Sequence, residues 1–355
     1  MGPDRAGDRQ RCCGTRSARA RRRLYVSVTV KFLVAQGLSA GWLGVSIWLS
    51  QPWLRELAAA VTVVPAVVVV SLIAYLPGWL AAVRTELVIT LDADTVLHAH
   101  AVRQLVARLL SAPADVQAVA GSVLVRNSRD NLWTRMEEWD YFLGIASVKR
   151  MQGLYQGTLV AQGAFSLYRT EAVLAAGGWP DAIGEDIVLT WQLMRNGARV
   201  YYEPSAVAFT AAPARLVHLA RQRARWARGM VEGLRSVRPW NQPRWLLRFL
   251  TAIDLLIPAL DVAYALVWLP GLVLAATGRY WIVGPYTLAV LPPTLAVNLI
   301  LYRFQRRRVF NLLGLRVRRN AAGFVGFVLA YQMLMSPIAV VGYGQELLGL
   351  RRRWK

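Results

Sequence analysis

The sequence predicts an α/β domain held between hydrophobic membrane segments. Three observations point there. The mean hydropathy is positive although 17% of the residues are charged, a mixture that suits membrane spans joined to one soluble domain with its own core. The apolar runs fall into two groups separated by about a hundred and seventy residues. Within that interval, strand-like and helix-like periodicities alternate, which is the pattern of an α/β domain.

Taken in order, residues 1–23 are polar and Arg-rich without apolar periodicity and read as a basic cytoplasmic tail. The only cysteines, Cys12 and Cys13, lie there and are too few for a disulfide framework or a cysteine zinc site. Residues 24–80 hold two runs, 25–49 and 57–80, each long enough to cross a bilayer as a helix. Residues 81–248 form the soluble segment. Its predicted elements are a buried strand over 86–91, a helix over 101–110 and a strand over 116–125. An aromatic-rich helix over 132–150 follows, then a strand over 160–168 and a helix over 187–196 closed by Gly197. The segment ends with a short strand over 199–203 and a basic helix over 213–235. Residues 249–355 carry about three further hydrophobic segments, 249–276, 280–302 and 321–348. Asp254, Pro258, Asp261 and Pro270 make the first of these a candidate for an interfacial or re-entrant path, and Pro337 does the same for the last. The basic linker 303–319 is expected in the cytoplasm.

The formal net charge is +22, and the lysines are only Lys31, Lys149 and Lys355, so the charge is almost all arginine. A chain this basic suits nucleic acid, anionic lipid or a phosphorylated substrate. The basic residues follow the flanks of the apolar runs and no nucleic-acid-binding module is visible, which argues against a nucleic-acid partner and for membrane lipid. The later apolar segments contain only Asp254, Asp261 and, near the end of the last, Glu346 as acids, and no inverted repeat, which argues against a transporter.

Three constellations carry chemistry. Asp92-Ala93-Asp94 ends the strand 86–91. Two carboxylates one residue apart at a strand end can hold a hard divalent cation that bridges to a diphosphate, although alone such a triplet is more often a solvated turn or helix cap. Glu185-Asp186 begins a helix, where acids are favoured by the dipole; the functional alternative is a general base on a sugar hydroxyl. Gln222, Arg225 and Trp226 lie in RQRARWARGM. That stretch reads either as a cationic helix on anionic lipid or as a pyrophosphate-binding guanidinium beside an apolar ring for sugar stacking.

Together, the order and spacing of these motifs resemble the processive family-2 glycosyltransferases: the cellulose, chitin, hyaluronan and poly-N-acetylglucosamine synthases, with their DxD, ED and QxxRW motifs. The intervening stretches DNLWTRMEEWDYFLG, VAQGAFSLYRTEAV and GARVYYEPSAVAFTAAPA match as well, and the likeness runs from about Gly78 onward. The resemblance implies a GT-A-like core and a membrane-bound transferase. It would pass a sugar from a UDP-sugar, with UDP-N-acetylglucosamine the first choice, to a growing polysaccharide with inversion. It implies Asp94 as ligand to Mg²⁺ or Mn²⁺, Asp92 and Glu185 in donor binding, Asp186 as catalytic base, and Gln222, Arg225 and Trp226 lining the diphosphate and acceptor sites. A multi-pass cell-membrane protein with its catalytic domain in the cytoplasm follows, and there is room for a small membrane accessory subunit as partner. The family pattern also places strands and a nucleotide-base pocket before the segment matching residues 86–91, where this chain has its second apolar run. A GT-A core incomplete at its amino end is therefore expected, and with it a second reading: a non-catalytic or split-enzyme membrane partner that keeps a glycosyltransferase remnant.

Overall fold

A computed structural model describes residue 83, residues 85–155 and residues 157–350. The basic tail and the two apolar runs expected within residues 24–80 lie outside the described residues.

Among the described residues five strands make one mixed sheet in the order β1-β4-β3-β5-β2: β1 (Leu87–Leu91), β2 (Val96–Leu97), β3 (Val116–Val125), β4 (Phe165–Arg169) and β5 (Arg199–Thr210). The long strand β3 is its centre. It runs parallel to β5 and antiparallel to β4, and β4 pairs antiparallel with β1. Among the described residues β1 is an edge strand, Leu87 opposite Arg169 and Leu91 opposite Phe165. Nearly every side chain of β3 is buried, which is why VQAVAGSVLV reads as a continuous apolar run.

Helix α1 (Ala101–Ser111) lays Leu105 and Leu109 on the sheet beside Val119, Val123, Phe165 and Leu167. The expected aromatic helix forms as α2 (Leu132–Trp139), then a π-helical stretch, Asp140–Ser147, then α3 (Val148–Tyr155). Asn131 caps it: its side chain accepts from the Thr134 backbone N–H while the Thr134 hydroxyl accepts from the N–H of Asn131. Short α4 (Thr170–Ala175) leads to α5 (Glu185–Arg195), which ends at Gly197 with φ +89°, the left-handed stop expected there. Helix α6 (Leu216–Ser236) is the basic helix.

Two strands differ from expectation. Residues 160–164 leave the sheet, so β4 begins at Phe165; their polar groups are committed to the neighbouring site instead. The strand from Arg199 continues to Thr210 through Pro204. It does so by a shift in pairing, Ala120 facing Tyr202 but Ser122 facing Val207. Such a bulge is where a strand tolerates a proline, which has no N–H for the ladder.

Among the described residues three helices are long and apolar enough to cross a membrane: α7 (Trp245–Ala276), α8 (Pro285–Phe310) and α9 (Ala321–Leu347). A turn at Asp254 and Leu255 interrupts α7, and a π-helical stretch, Tyr264–Trp268, precedes its Pro270. Helix α9 lies along α6. A methyl on Gly342 would stand 2.4 Å from the Ala224 carbonyl oxygen, so the backbones nearly touch. Arg228 of α6 meets Glu346 of α9 at 3.1 Å, both largely buried. Met136, Leu219, Tyr331 and Met335 form a cluster joining α2, α6 and α9.

Candidate functional site

The chemistry-bearing residues gather at one end of the sheet because the fold brings three separate chain segments there. Strand β1 delivers Asp92 at its tip. The Asp92 N–H donates to the Ala164 carbonyl at 3.3 Å, and the Asp92 carbonyl accepts from the Thr95 N–H at 3.0 Å. This turn carries Asp94 outward, where its Oδ2 accepts from the Thr210 hydroxyl at 3.3 Å. Both carboxylates are exposed. Crowding by protein, then the charge of Asp94, raise the Asp92 carboxyl above its usual range, with Asp186 adding to the effect and Arg225 opposing it.

The second segment is the start of α5. The Gly184 N–H donates to Glu232 Oε2 of α6 at 3.0 Å, and Gly184 lies directly against Gly229. A methyl on Gly184 would stand 2.5 Å from the Gly229 Cα, and one on Gly229 would stand 2.7 Å from the Gly184 Cα. Only a pair of glycines allows this approach, and it sets Glu185-Asp186 beside the helix that bears Gln222, Arg225 and Trp226. Asp186 Oδ1 accepts from the Ile187 N–H at 2.8 Å and Oδ2 from the Gly163 N–H at 3.4 Å. Burial pushes Asp186 up, and those N–H groups together with the charge of Lys149 work against the rise. Glu185 is pushed up to about 7, first by burial and then by Asp186, with Arg225 pulling the other way. Asp92, Glu185 and Arg225 thus sit within one another's electrostatic reach.

The third segment is α6. Trp226 is 37% exposed, with the Tyr141 ring at 6.2 Å and the Arg223 guanidinium 4.2 Å over its face. Gln222 Oε1 is buried without a hydrogen-bond donor among the described residues. Arg225 lies close enough to both acidic segments for its charge to lower the Asp92 and Glu185 carboxyls.

The structure therefore brings together Asp92, Asp94, Glu185, Asp186, Gln222, Arg225 and Trp226. It adds residues that the motifs did not single out. Lys149 is buried and donates from Nζ to Gln162 Oε1; Gln162 Nε2 in turn donates to the Gly121 carbonyl at 2.8 Å. Gly121 sits at the β3–β5 bulge, so the irregularity frees the carbonyl that orients Gln162. Burial holds the Lys149 amine down to about 7, and Asp186 draws it up. The isolated lysine in an arginine-dominated chain was the available signal, but nothing in the sequence placed it beside Asp186.

A divalent cation was expected at Asp94. Among the described residues no three His, Cys, Asp or Glu side chains gather closely enough to hold a metal alone. The donor set nevertheless fits: two exposed hard carboxylates, that of Asp92 raised first by crowding and then by the charge of Asp94, suit Mg²⁺ or Mn²⁺ whose remaining ligands arrive with a diphosphate and water.

Comparison with known proteins adds an independent line. The model of "Glycosyl transferase family group 2" matches residues 87–301. The chain is 33% identical over 145 residues to the poly-β-1,6-N-acetyl-D-glucosamine synthase of Staphylococcus aureus (strain COL), covering 41% of this chain and 35% of that protein. It is 32% identical over 152 residues to an N-acetylglucosaminyltransferase of Rhizobium sp. (strain N33), covering 40% of this chain and 33% of the relative. The matched region thus spans about a third of the length of these relatives. A solved mannosyltransferase of Pyrobaculum calidifontis, in complex with GDP-Man and Mn²⁺, aligns at TM-score 0.46 and 19% identity over 78% of this chain and 66% of its own.

Proposed function

From the premise that the chain belongs to glycosyl transferase family group 2, as the match over residues 87–301 establishes, we propose that it transfers N-acetylglucosamine from UDP-N-acetylglucosamine to a growing polysaccharide at the cytoplasmic face of a membrane. The observation that carries the reading is the convergence of Asp92, Glu185, Asp186 and Arg225 from three segments within one another's electrostatic reach. The N-acetylglucosamine donor rests on the two relatives named above.

The chemistry assigns one task to each residue. The acceptor hydroxyl oxygen attacks the anomeric carbon from the face opposite the diphosphate, so the new glycosidic bond forms as the bond from that carbon to the diphosphate oxygen breaks, with inversion. Asp186 takes the hydroxyl proton. It suits a base because burial raises its proton affinity while the N–H groups of Ile187 and Gly163 orient its two oxygens. Arg225 offers its planar fork to the departing diphosphate. Asp92 and Glu185 bound the donor, and Gln222 Oε1 remains as an acceptor for a substrate N–H or O–H. Trp226 offers an apolar ring on which a sugar can stack. A divalent cation at Asp94 and Asp92 would supply charge neutralisation of the diphosphate.

In the membrane region, the buried Arg228–Glu346 pair and the close approach of Gly342 to Ala224 support an interfacial course for α9 beside the Arg-rich α6. Helices α7 and α8 would then cross.

The test is Asp186→Asn in native membranes. This variant keeps shape and should retain UDP affinity, while transfer of labelled N-acetylglucosamine drops by about 10²–10⁴-fold. Unchanged transfer would remove Asp186 from the role of base.

A further inference from the structure

Arg223 lies inside the motif of α6 without an assigned role, and its guanidinium reaches two carboxylates and two aromatic rings. Its Nη2 lies 2.6 Å from Glu137 Oε2 and 2.7 Å from Asp140 Oδ2. Glu137 is completely buried, and its other oxygen, Oε1, accepts from the Tyr331 hydroxyl at 2.5 Å. The Arg223 guanidinium also sits 4.2 Å over the Trp226 ring and 5.7 Å from the Tyr331 ring. Burial works against the charge on Arg223, but Asp140 and Glu137 outweigh it and the guanidinium is held charged. Glu137 and Asp140 come from α2 and its π-helical continuation, Arg223 and Trp226 from α6, and Tyr331 from α9.

The arrangement is more than a salt bridge that pins two helices. One guanidinium nitrogen, Nη2, is shared by two carboxylates, and this anchors the guanidinium over one face of Trp226. The indole is therefore clamped from behind, with Tyr141 at its side, while part of it stays exposed. Tyr331 completes the clamp by satisfying the one Glu137 oxygen that Arg223 does not reach. A buried carboxylate oxygen left without a donor would pull Glu137, and Arg223 with it, toward another partner.

We infer that Arg223 and Tyr331 are positioning residues that set the face of Trp226 presented to the acceptor sugar, so that the apolar helix α9 contributes to acceptor binding without touching the acceptor. The inference rests on the proposed role of Trp226 as the acceptor platform.

The experiment measures affinity rather than turnover, so it does not depend on the catalytic step. The full chain in detergent is titrated by calorimetry with an N-acetylglucosamine oligomer and, separately, with UDP. Trp226→Ala tests the underlying reading. Tyr331→Phe removes one oxygen and keeps the ring, and Arg223→Lys keeps charge but loses the flat guanidinium that covers the indole. Both should weaken the oligomer about threefold to tenfold, the scale of a displaced stacking and cation–π contact, while UDP affinity stays at the parental value. Combined with Trp226→Ala, neither should add a further loss. If Trp226→Ala weakens the oligomer but Tyr331→Phe and Arg223→Lys leave it unchanged, or weaken UDP equally, the clamp is only structural and the inference fails. If Trp226→Ala itself has no effect, the platform reading fails and the inference with it, while Asp186 as base remains testable on its own.

Discussion

Replacing Gly229 by alanine perturbs the site without touching any residue assigned a chemical role. The added methyl would stand 2.7 Å from the Gly184 Cα and 3.0 Å from the Gly184 nitrogen. Ordinary contact begins near 3.4 Å, so the two backbones must part by about 0.7 Å. Neither side yields cheaply, because Gly229 lies within α6 and the Gly184 N–H is held by Glu232. Overpacking of this kind costs about 1–3 kcal/mol if the strain is absorbed in place. If the loop retreats instead, Glu185 and Asp186 move with it relative to Arg225 and Trp226, and a misplacement approaching 1 Å costs about 10²-fold in rate. Gly229→Ala is therefore expected to lower the transfer rate by 10-fold to 100-fold with a modest fall in Tm, and Gly184→Ala should behave alike. Gly153→Ala is the control: a methyl there meets nothing within 4 Å, and in a helix interior the change should be neutral or slightly stabilising. Transfer in membrane vesicles and thermal unfolding in detergent provide the assays. A Gly229→Ala protein with parental rate and parental Tm would refute the claim that this glycine contact sets the spacing of the site.

The remaining predictions concern the cation and the buried lysine. Asp94→Asn should abolish the gain in UDP affinity produced by Mn²⁺, and Asp92→Asn should reduce it; calorimetry giving the same UDP affinity in variant and parent, with and without Mn²⁺, would take both residues out of the cation site. Lys149→Met keeps the length of the buried chain and removes the cation that draws the Asp186 carboxyl down. The Asp186 pKa should then rise, so the acid limb of the pH–rate profile moves alkaline by about one pH unit. The parent has a second limit in the same window. Lys149 is held down to about 7, so its help to Asp186 is full below that pH and is lost as the pH rises through it. An acid limb that stays in place in Lys149→Met would show that the lysine does not act on Asp186.

The strand 86–91, the strand 116–125 and the helices at 101–110 and 187–196 are legible in the sequence because each buries a regular apolar pattern with a clear stop: acids after Leu91, Gly197 after Asn196. The same holds for the three motifs, since Asp92-Ala93-Asp94, Glu185-Asp186 and Gln222-Arg225-Trp226 are read from residue type and spacing alone. What local pattern could not supply are features decided by a partner distant in sequence. Residues 160–164 look like strand, yet Gln162 and Gly163 turn to Lys149 and Asp186, because satisfying buried polar groups outweighs extending a ladder by a few residues. Strand β5 runs past Pro204 only because its extra residues between Tyr202 and Val207 bulge opposite Gly121 of β3. The contact of Gly184 with Gly229 and the clamp of Arg223, Glu137 and Tyr331 join residues 45 to 194 positions apart. Sequence determined which chemical groups the chain owns and which segments carry them. Only the tertiary structure decided their distances and surroundings, because burial, electrostatic reach and close backbone approach are properties of pairs of segments and not of either one alone.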